Sequence, residues 1–182
     1  MNSVNLLVQN YVSSVRTESL TNLMLFVSSI FNFSTLFFIV IILISILIYI
    51  FKSHRDHLKL FLVSTLTTPF IVYLLKYWFN VSRPTNPVID AFGQSFPSYH
   101  TTEATVLFVI LMYIFDDYFK SFGRIVFNSL CTLFVFTVAF SRIYLGVHWF
   151  SDVFVGVLLG AFISYMSIKI FKYVRNVQVL RL

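Results

Sequence analysis

Three short stretches hold the groups from which chemistry could be built: Lys76 with Arg83-Pro84, Pro97-Ser98-Tyr99-His100, and Ser141-Arg142 followed by His148 and Asp152. His148 and Asp152 are four apart, a spacing at which side chains meet at the start of a helix. A carboxylate bonded to one imidazole nitrogen fixes the tautomer and frees the other nitrogen as a nucleophile. Lys76 and Arg83 are seven apart, so they are expected to share a helix face, with Pro84 ending the helix. Two cations on one face make an anion clamp. The planar fork of arginine suits phosphate, and Arg142 adds a third cation. The blander alternative for the pair is snorkelling to lipid headgroups. Ser98 is placed to N-cap a helix whose free N–H groups attract phosphate. His100, in the first turn, is placed to give a proton to a leaving oxygen. The blander alternative there is a capped helix with an interfacial histidine. Glu103, one turn further, is expected to offset the helix dipole. Two histidines and an aspartate also suggest a metal site. The three cations argue against one, because they supply the positive charge themselves and would repel the ion. No metal and no cofactor is expected.

The elements that must position these groups follow from composition. The chain has 182 residues, of which 58% are hydrophobic and only 11% charged, with 23 phenylalanines. Soluble domains carry about 25% charged residues, and one of this size could not hide so much apolar surface. The reading is an all-α, polytopic membrane helix bundle forming one domain over 1–182. Five stretches approach the roughly 20 residues of a spanning helix: about 33–51, 58–79, 100–115, 123–140 and 149–171. The transmembrane core is placed at 33–175. Residues 1–32 mix Leu6, Leu7, Val8, Tyr11 and Val12 with polar residues and read as an amphipathic helix lying in the interface. No cleavable leader is expected at the start. Cys131, the single cysteine, reads as a small core residue. Gly156 and Gly160 read as a close helix contact.

Charge sets the orientation. Lys52, Arg55, Lys59, Lys120, Arg124, Lys169, Lys172, Arg175 and Arg181 fall on one side, leaving Arg16, Lys76, Arg83 and Arg142 on the other. The nine are expected in the cytoplasm. All three polar stretches then lie at span ends on the outer face, so residues distant in sequence gather at one depth. The net charge of +6 is explained by this topology, and no nucleic acid is expected as a partner.

Lys-x6-Arg-Pro, Pro-Ser-x-His and Ser-Arg-x5-His-x3-Asp, in that order, resemble the motifs of the type 2 phosphatidic acid phosphatase family. That family of membrane lipid phosphatases shares its site with vanadium haloperoxidases. The resemblance covers residues 76–152 and the helix layout around them. It implies metal-independent hydrolysis of a lipid phosphate or diphosphate through a phosphohistidine. His148 would be the nucleophile, Asp152 its orienter and His100 the proton donor. Lys76, Arg83, Ser98 and Arg142 would hold the phosphoryl oxygens. The family's second motif usually reads Pro-Ser-Gly-His, so Tyr99 is a departure that bears on substrate preference. Five spans with an interfacial helix are similar to the short bacterial phosphatases that recycle undecaprenyl diphosphate, which makes that lipid the first choice. It also suggests a bacterial-type inner membrane with the site on the periplasmic or extracellular side and the C-terminus in the cytoplasm. Two alternatives use the same pocket: a lipid phosphotransferase and a non-catalytic lipid-headgroup binder.

Overall fold

A computed structural model of the chain describes residues 3–31, 35–52 and 55–179. All regular structure among the described residues is helical: α1 (Ser3–Ser14), α2 (Glu18–Ile30), α3 (Thr35–Lys52), α4 (Arg55–Phe79), α5 (Tyr99–Phe115), α6 (Ser121–Tyr144) and α7 (Phe150–Val179). Asp56–Phe79, Ser121–Tyr144 and Phe150–Val177 are long and apolar enough to cross a membrane, while Phe38–Phe51 and Tyr99–Phe115 are shorter apolar helices. Large apolar side chains such as Phe70, Phe134, Phe136, Phe154 and Phe162 are exposed along these helices. In water such a surface would drive association; against lipid tails it carries no cost.

The helix α5 explains how a short, polar-tinged element fits such a bundle. Its 17 residues span about 25 Å at 1.5 Å per residue, less than the roughly 30 Å of a hydrocarbon core. It has no need to match the bilayer, because α4, α6 and α7 all pack against it and Thr101 through Leu107 are buried without interruption. Its threonines are satisfied within the helix. Thr102 Oγ1 donates to Ser98 O at 2.9 Å and Thr105 Oγ1 to Thr101 O at 2.7 Å, so burying these hydroxyls costs little. The main core gathers Ile41, Ile48, Phe61, Val106, Ile110 and Val138 around this helix.

Gly156 and Gly160 set the distance between α5 and α7. A Cβ on Gly156 would lie 3.1 Å from both Ser98 O and Thr101 Cβ. One on Gly160 would lie 2.5 Å from Thr105 Cβ and 2.7 Å from Thr102 O. The close contact expected from their spacing is present, and it ties the start of α5 to the start of α7.

Two expectations change. The N-terminal segment is two helices packed on the bundle. Asn5 Nδ2 donates to Ser151 Oγ at 2.9 Å, and Ser151 N to Asn5 Oδ1 at 3.1 Å, so α1 lies over the start of α7. The chain breaks at residues 15–17, where Arg16 Nε donates to Tyr144 O and Thr17 N to Tyr144 Oη, both at 2.9 Å. Thr17 then caps α2. Val12 and Met24 pack with Ala139, Ile143 and Val147 in a second core. The other change is at α4, which ends at Phe79 because Asn80 takes φ 45°, a left-handed conformation that asparagine tolerates and that stops a helix. Arg83 therefore sits in the following loop, and does not share a helix face with Lys76. Arg181 lies outside the described residues.

Candidate active site

The ends of α4, α5, α6 and α7 meet under a loop, residues 80–98, and the cations hold that loop. Lys76 Nζ, in the last turn of α4, donates to Gln94 O at 2.6 Å and Ser95 O at 3.2 Å. Arg83 reaches across the loop: Nε donates to Gly93 O and Nη2 to Phe92 O, both at 3.0 Å, and Nη1 to Val147 O at 2.7 Å. Ser95 N closes the loop on Val81 O at 2.8 Å, and Trp149 Nε1 anchors Ser82 O at 2.8 Å. The Gly93 and Phe92 carbonyls are exposed, whereas those of Val147, Ser95 and Ser82 are partly buried, where a carbonyl without a donor is expensive. The cations are thus bound to protein as well as available to an anion, a role that neither clamp nor snorkelling anticipates.

His148 lies two residues before α7, and Asp152 in its first turn. Asp152 Oδ2 accepts from Trp149 N at 2.9 Å, which fixes the carboxylate as a first-turn acidic residue fixes a capping box. The same oxygen is 3.4 Å from His148 Nδ1, with both side chains almost wholly buried. On the far side of the ring, Nε2 is 3.4 Å from Arg83 Nη1. A guanidinium can only donate, so it favours the tautomer with a lone pair on Nε2 and the proton on Nδ1, facing Asp152. Burial holds the His148 imidazole well below its ordinary pKa, and the charges of Arg142, Arg83, Lys76 and His100 push the same way. Burial also lowers the pKa of Arg83, opposed by Asp152. His148 is accordingly neutral near pH 7, as a nitrogen nucleophile must be.

Ser98 stands at the N-cap of α5, but its hydroxyl makes no cap bond. It accepts from Thr101 Oγ1 at 3.0 Å, while Ser98 N donates to Asp152 O at 3.1 Å. The first N–H groups of α5 are thus left without the serine acceptor. Arg142, in the last turn of α6, is buried, and its Nη1 donates to Ser28 Oγ on α2, while its Nε has no partner. Ser28 is fully enclosed and was not legible as part of a site: it lies 114 residues from Arg142 in a run of ordinary helical serines. Glu103 is also fully buried, and neither carboxyl oxygen has a hydrogen-bond partner.

Tyr99 and His100 meet edge to face, with ring centroids 5.5 Å apart. With Lys76 they line a groove of about 340 Å³, completed by Pro69, Val72 and Tyr73 of α4. Lys76 and His100 bring polar groups to this groove, and Pro69 and Val72 bring apolar ones. Among the described residues, no three His, Cys, Asp or Glu side chains converge as a metal site would require.

Comparison with known proteins gives the family and the fold. The profile described as PAP2 superfamily matches residues 57–176. A dihydrosphingosine 1-phosphate phosphatase of Schizosaccharomyces pombe is 31% identical over 116 residues, covering 57% of this chain and 28% of its own. An undecaprenyl-diphosphatase of Sulfolobus acidocaldarius is 54% identical over 33 residues, 18% of this chain and 16% of its own. The chain thus spans under a third of the length of either relative. Among solved structures, a transmembrane PAP2-type phosphatidylglycerolphosphate phosphatase from Bacillus subtilis superposes with a TM-score of 0.85 at 22% identity, over 94% of this chain and 86% of its own. LpxE of Aquifex aeolicus superposes with a TM-score of 0.76 at 25% identity, over 92% and 96%.

Proposed function

We propose, from the premise that this chain belongs to the PAP2 superfamily, that it is a membrane lipid phosphatase working through a phosphohistidine on His148. The observation that carries the reading is the placing of His148 between Asp152 on Nδ1 and Arg83 on Nε2, each at 3.4 Å. Nε2 attacks the terminal phosphorus, and that phosphorus loses its bond to the leaving oxygen, which is the bridging oxygen of a lipid diphosphate or the ester oxygen of a lipid monophosphate. His100 gives its proton to that oxygen as it leaves. The imidazole gains positive charge as its new bond forms, and Asp152 stabilises it. Arg83 Nη1, which faces Nε2 in the resting site, is then beside the phosphoryl oxygens. Lys76 retains an unused donor beside its two loop bonds, and Arg142 and Ser98 complete the cradle. Charge that builds on these oxygens meets donors already in position. In the second half, His100 takes a proton from water, the water oxygen attacks phosphorus and the N–P bond breaks. Inorganic phosphate leaves and Nε2 is restored.

The first choice of substrate is undecaprenyl diphosphate, supported by the 33-residue match to an undecaprenyl-diphosphatase. A second reading, a lipid monophosphate with a sphingoid-like chain, is favoured by the longer match to the Schizosaccharomyces pombe phosphatase. Tyr99 lines the groove in place of the family's usual glycine, and is proposed to set preference between such chains. In this reading α3 to α7 form five spans of a bacterial-type inner membrane. The end bearing His148 faces the periplasm or exterior, and the C-terminus faces the cytoplasm.

The test uses purified protein in detergent with undecaprenyl diphosphate and a panel of lipid monophosphates, without divalent metal. Phosphate release that resists chelator, is blocked by vanadate and is lost in His148→Ala is the expected result. Turnover that requires added metal, or survives in His148→Ala, overturns the mechanism. Tyr99→Gly is expected to reorder rates across the panel while retaining turnover; unchanged relative rates would remove the specificity role.

A further inference from the structure

At the end of the bundle away from His148, the first turns of α4 and the last turns of α7 part around a second groove, of about 320 Å³. Lys59 and Lys76 are seventeen residues apart on α4, so at 1.5 Å per residue this groove is about 25 Å from the candidate active site. Its walls are Leu60, Val63, Ile170 and Val174, and Lys59 and Arg175 line it too. Val63, Ile170 and Val174 are exposed along the bundle surface, where only lipid chains would meet them. The two cations are exposed as well. Lys59 Nζ is 3.2 Å from Asp56 Oδ1, so Asp56 offsets one of the two charges. The neighbouring lysines are engaged by rings: Lys169 lies 5.7 Å from the Tyr165 centroid and Lys172 lies 5.3 Å from that of Tyr113. Arg175 has neither an ion pair nor a hydrogen bond among the described residues.

We propose that this groove is a binding site for an anionic phospholipid, distinct from the catalytic site. One acyl chain lies along the apolar walls, and the headgroup phosphate sits between Lys59 and Arg175. The class of ligand follows from charge. Lys59, Arg175 and Asp56 leave one net positive charge, which a zwitterionic headgroup does not neutralise and an anionic one does. Basic pockets between helices at a membrane surface bind anionic headgroups for this reason. The lipid bridges α4 and α7, whose other ends carry Lys76 and Asp152, so occupancy stabilises the bundle by mass action.

The experiment uses the full chain in detergent with a phosphatidylglycerol bearing a photoreactive acyl chain. After irradiation, adducts are mapped by peptide mass spectrometry. Adducts are expected on residues 56–64 and 167–175, competed by unlabelled phosphatidylglycerol at much lower concentration than by phosphatidylcholine. Each basic residue near a membrane surface is worth about fivefold in affinity for anionic lipid. Lys59→Gln with Arg175→Gln is therefore expected to weaken labelling by about 25-fold. Val63→Trp, which fills the groove without altering charge, should block it as well. Both variants are expected to release phosphate at the wild-type rate in detergent, and His148→Ala to keep full labelling. Equal competition by the two lipids, adducts spread along other lipid-facing helices, or undiminished labelling in the double variant would overturn the proposal.

Discussion

Replacing Gly160 by alanine tests whether the α5–α7 contact positions the chemistry. The new Cβ would lie 2.5 Å from Thr105 Cβ and 2.7 Å from Thr102 O. Carbon atoms pack best at about 3.5–4.0 Å, so relief requires a displacement of about 1 Å. The obstacles are a backbone carbonyl and a β-branched side chain, and neither swings away. Thr105 is further fixed by its bond to Thr101 O at 2.7 Å. Overpacking of this kind costs about 1–3 kcal/mol, and the gain in helix propensity returns about 1 kcal/mol. The net loss of stability is therefore small, about 0–2 kcal/mol. The loss of rate should be larger, because α5 carries Ser98 and His100 while α7 carries Asp152 and follows directly on His148. A 1 Å misplacement of reacting groups can cost about 100-fold. Gly160→Ala is thus expected to fold, with a modest fall in Tm, and to lose about 100-fold in kcat for phosphate release. Gly156→Ala, where the contacts are 3.1 Å, should lose less. Gly123→Ala, which meets only Phe119 at 3.5 Å, should be neutral or slightly stabilised. A Gly160→Ala protein with wild-type kcat would refute the claim that this contact sets the site geometry.

The state of His148 gives a pH dependence. Its folded pKa lies well below the ordinary value, so below about pH 6.5 the unfolded chain binds a proton that the folded chain does not. Stability is full above that pH and falls as pH drops toward the folded pKa; His148→Ala should reduce this slope in thermal melts between pH 5 and 8. Ser28→Ala removes the hydroxyl that holds Arg142, and is expected to raise KM about tenfold, the loss of one hydrogen bond to a charged group. A Ser28→Thr protein should recover most of it, which separates positioning from packing. Glu103→Met replaces a fully buried carboxyl without partners and should raise stability by about 1–3 kcal/mol, read as a higher Tm. A lower Tm would mean that the carboxyl has an essential partner.

The bundle was largely legible because its solvent is apolar. Runs of Phe, Ile, Leu and Val expose the helices directly, and the ends of α3 and α5 fall within two residues of those expected. The span ends that carry Lys76, His100, Arg142 and Asp152 were legible from their motifs, and the structure brings them to one end of the bundle. What escaped depends on contacts between distant residues. Arg16 and Tyr144 are 128 apart and Asn5 and Ser151 are 146 apart, and these pairs turn an amphipathic N-terminus into two helices clasped over the site. Arg83 was misplaced because a seven-residue spacing looks helical, whereas one left-handed asparagine at position 80 ends α4 first. The loop-holding role of Lys76 and Arg83 had no signal in residue type, since a cation meets a carbonyl or a phosphate equally well. The burial of Glu103 had no signal in the sequence, where its neighbours are polar threonines; it comes from the packing of three helices around α5.

In the proposed mechanism, phosphate passes through His148. A lipid diphosphate or monophosphate labelled with ³²P at the terminal phosphorus, mixed with the protein and quenched in alkali within milliseconds, tests it directly. An alkali-stable, acid-labile label on the peptide containing His148, absent from His148→Ala and accumulating in His100→Ala when the lipid leaving group needs no proton, is the expected result. Turnover without any protein-bound label, or label on a residue other than His148, would rule out a phosphohistidine at this position.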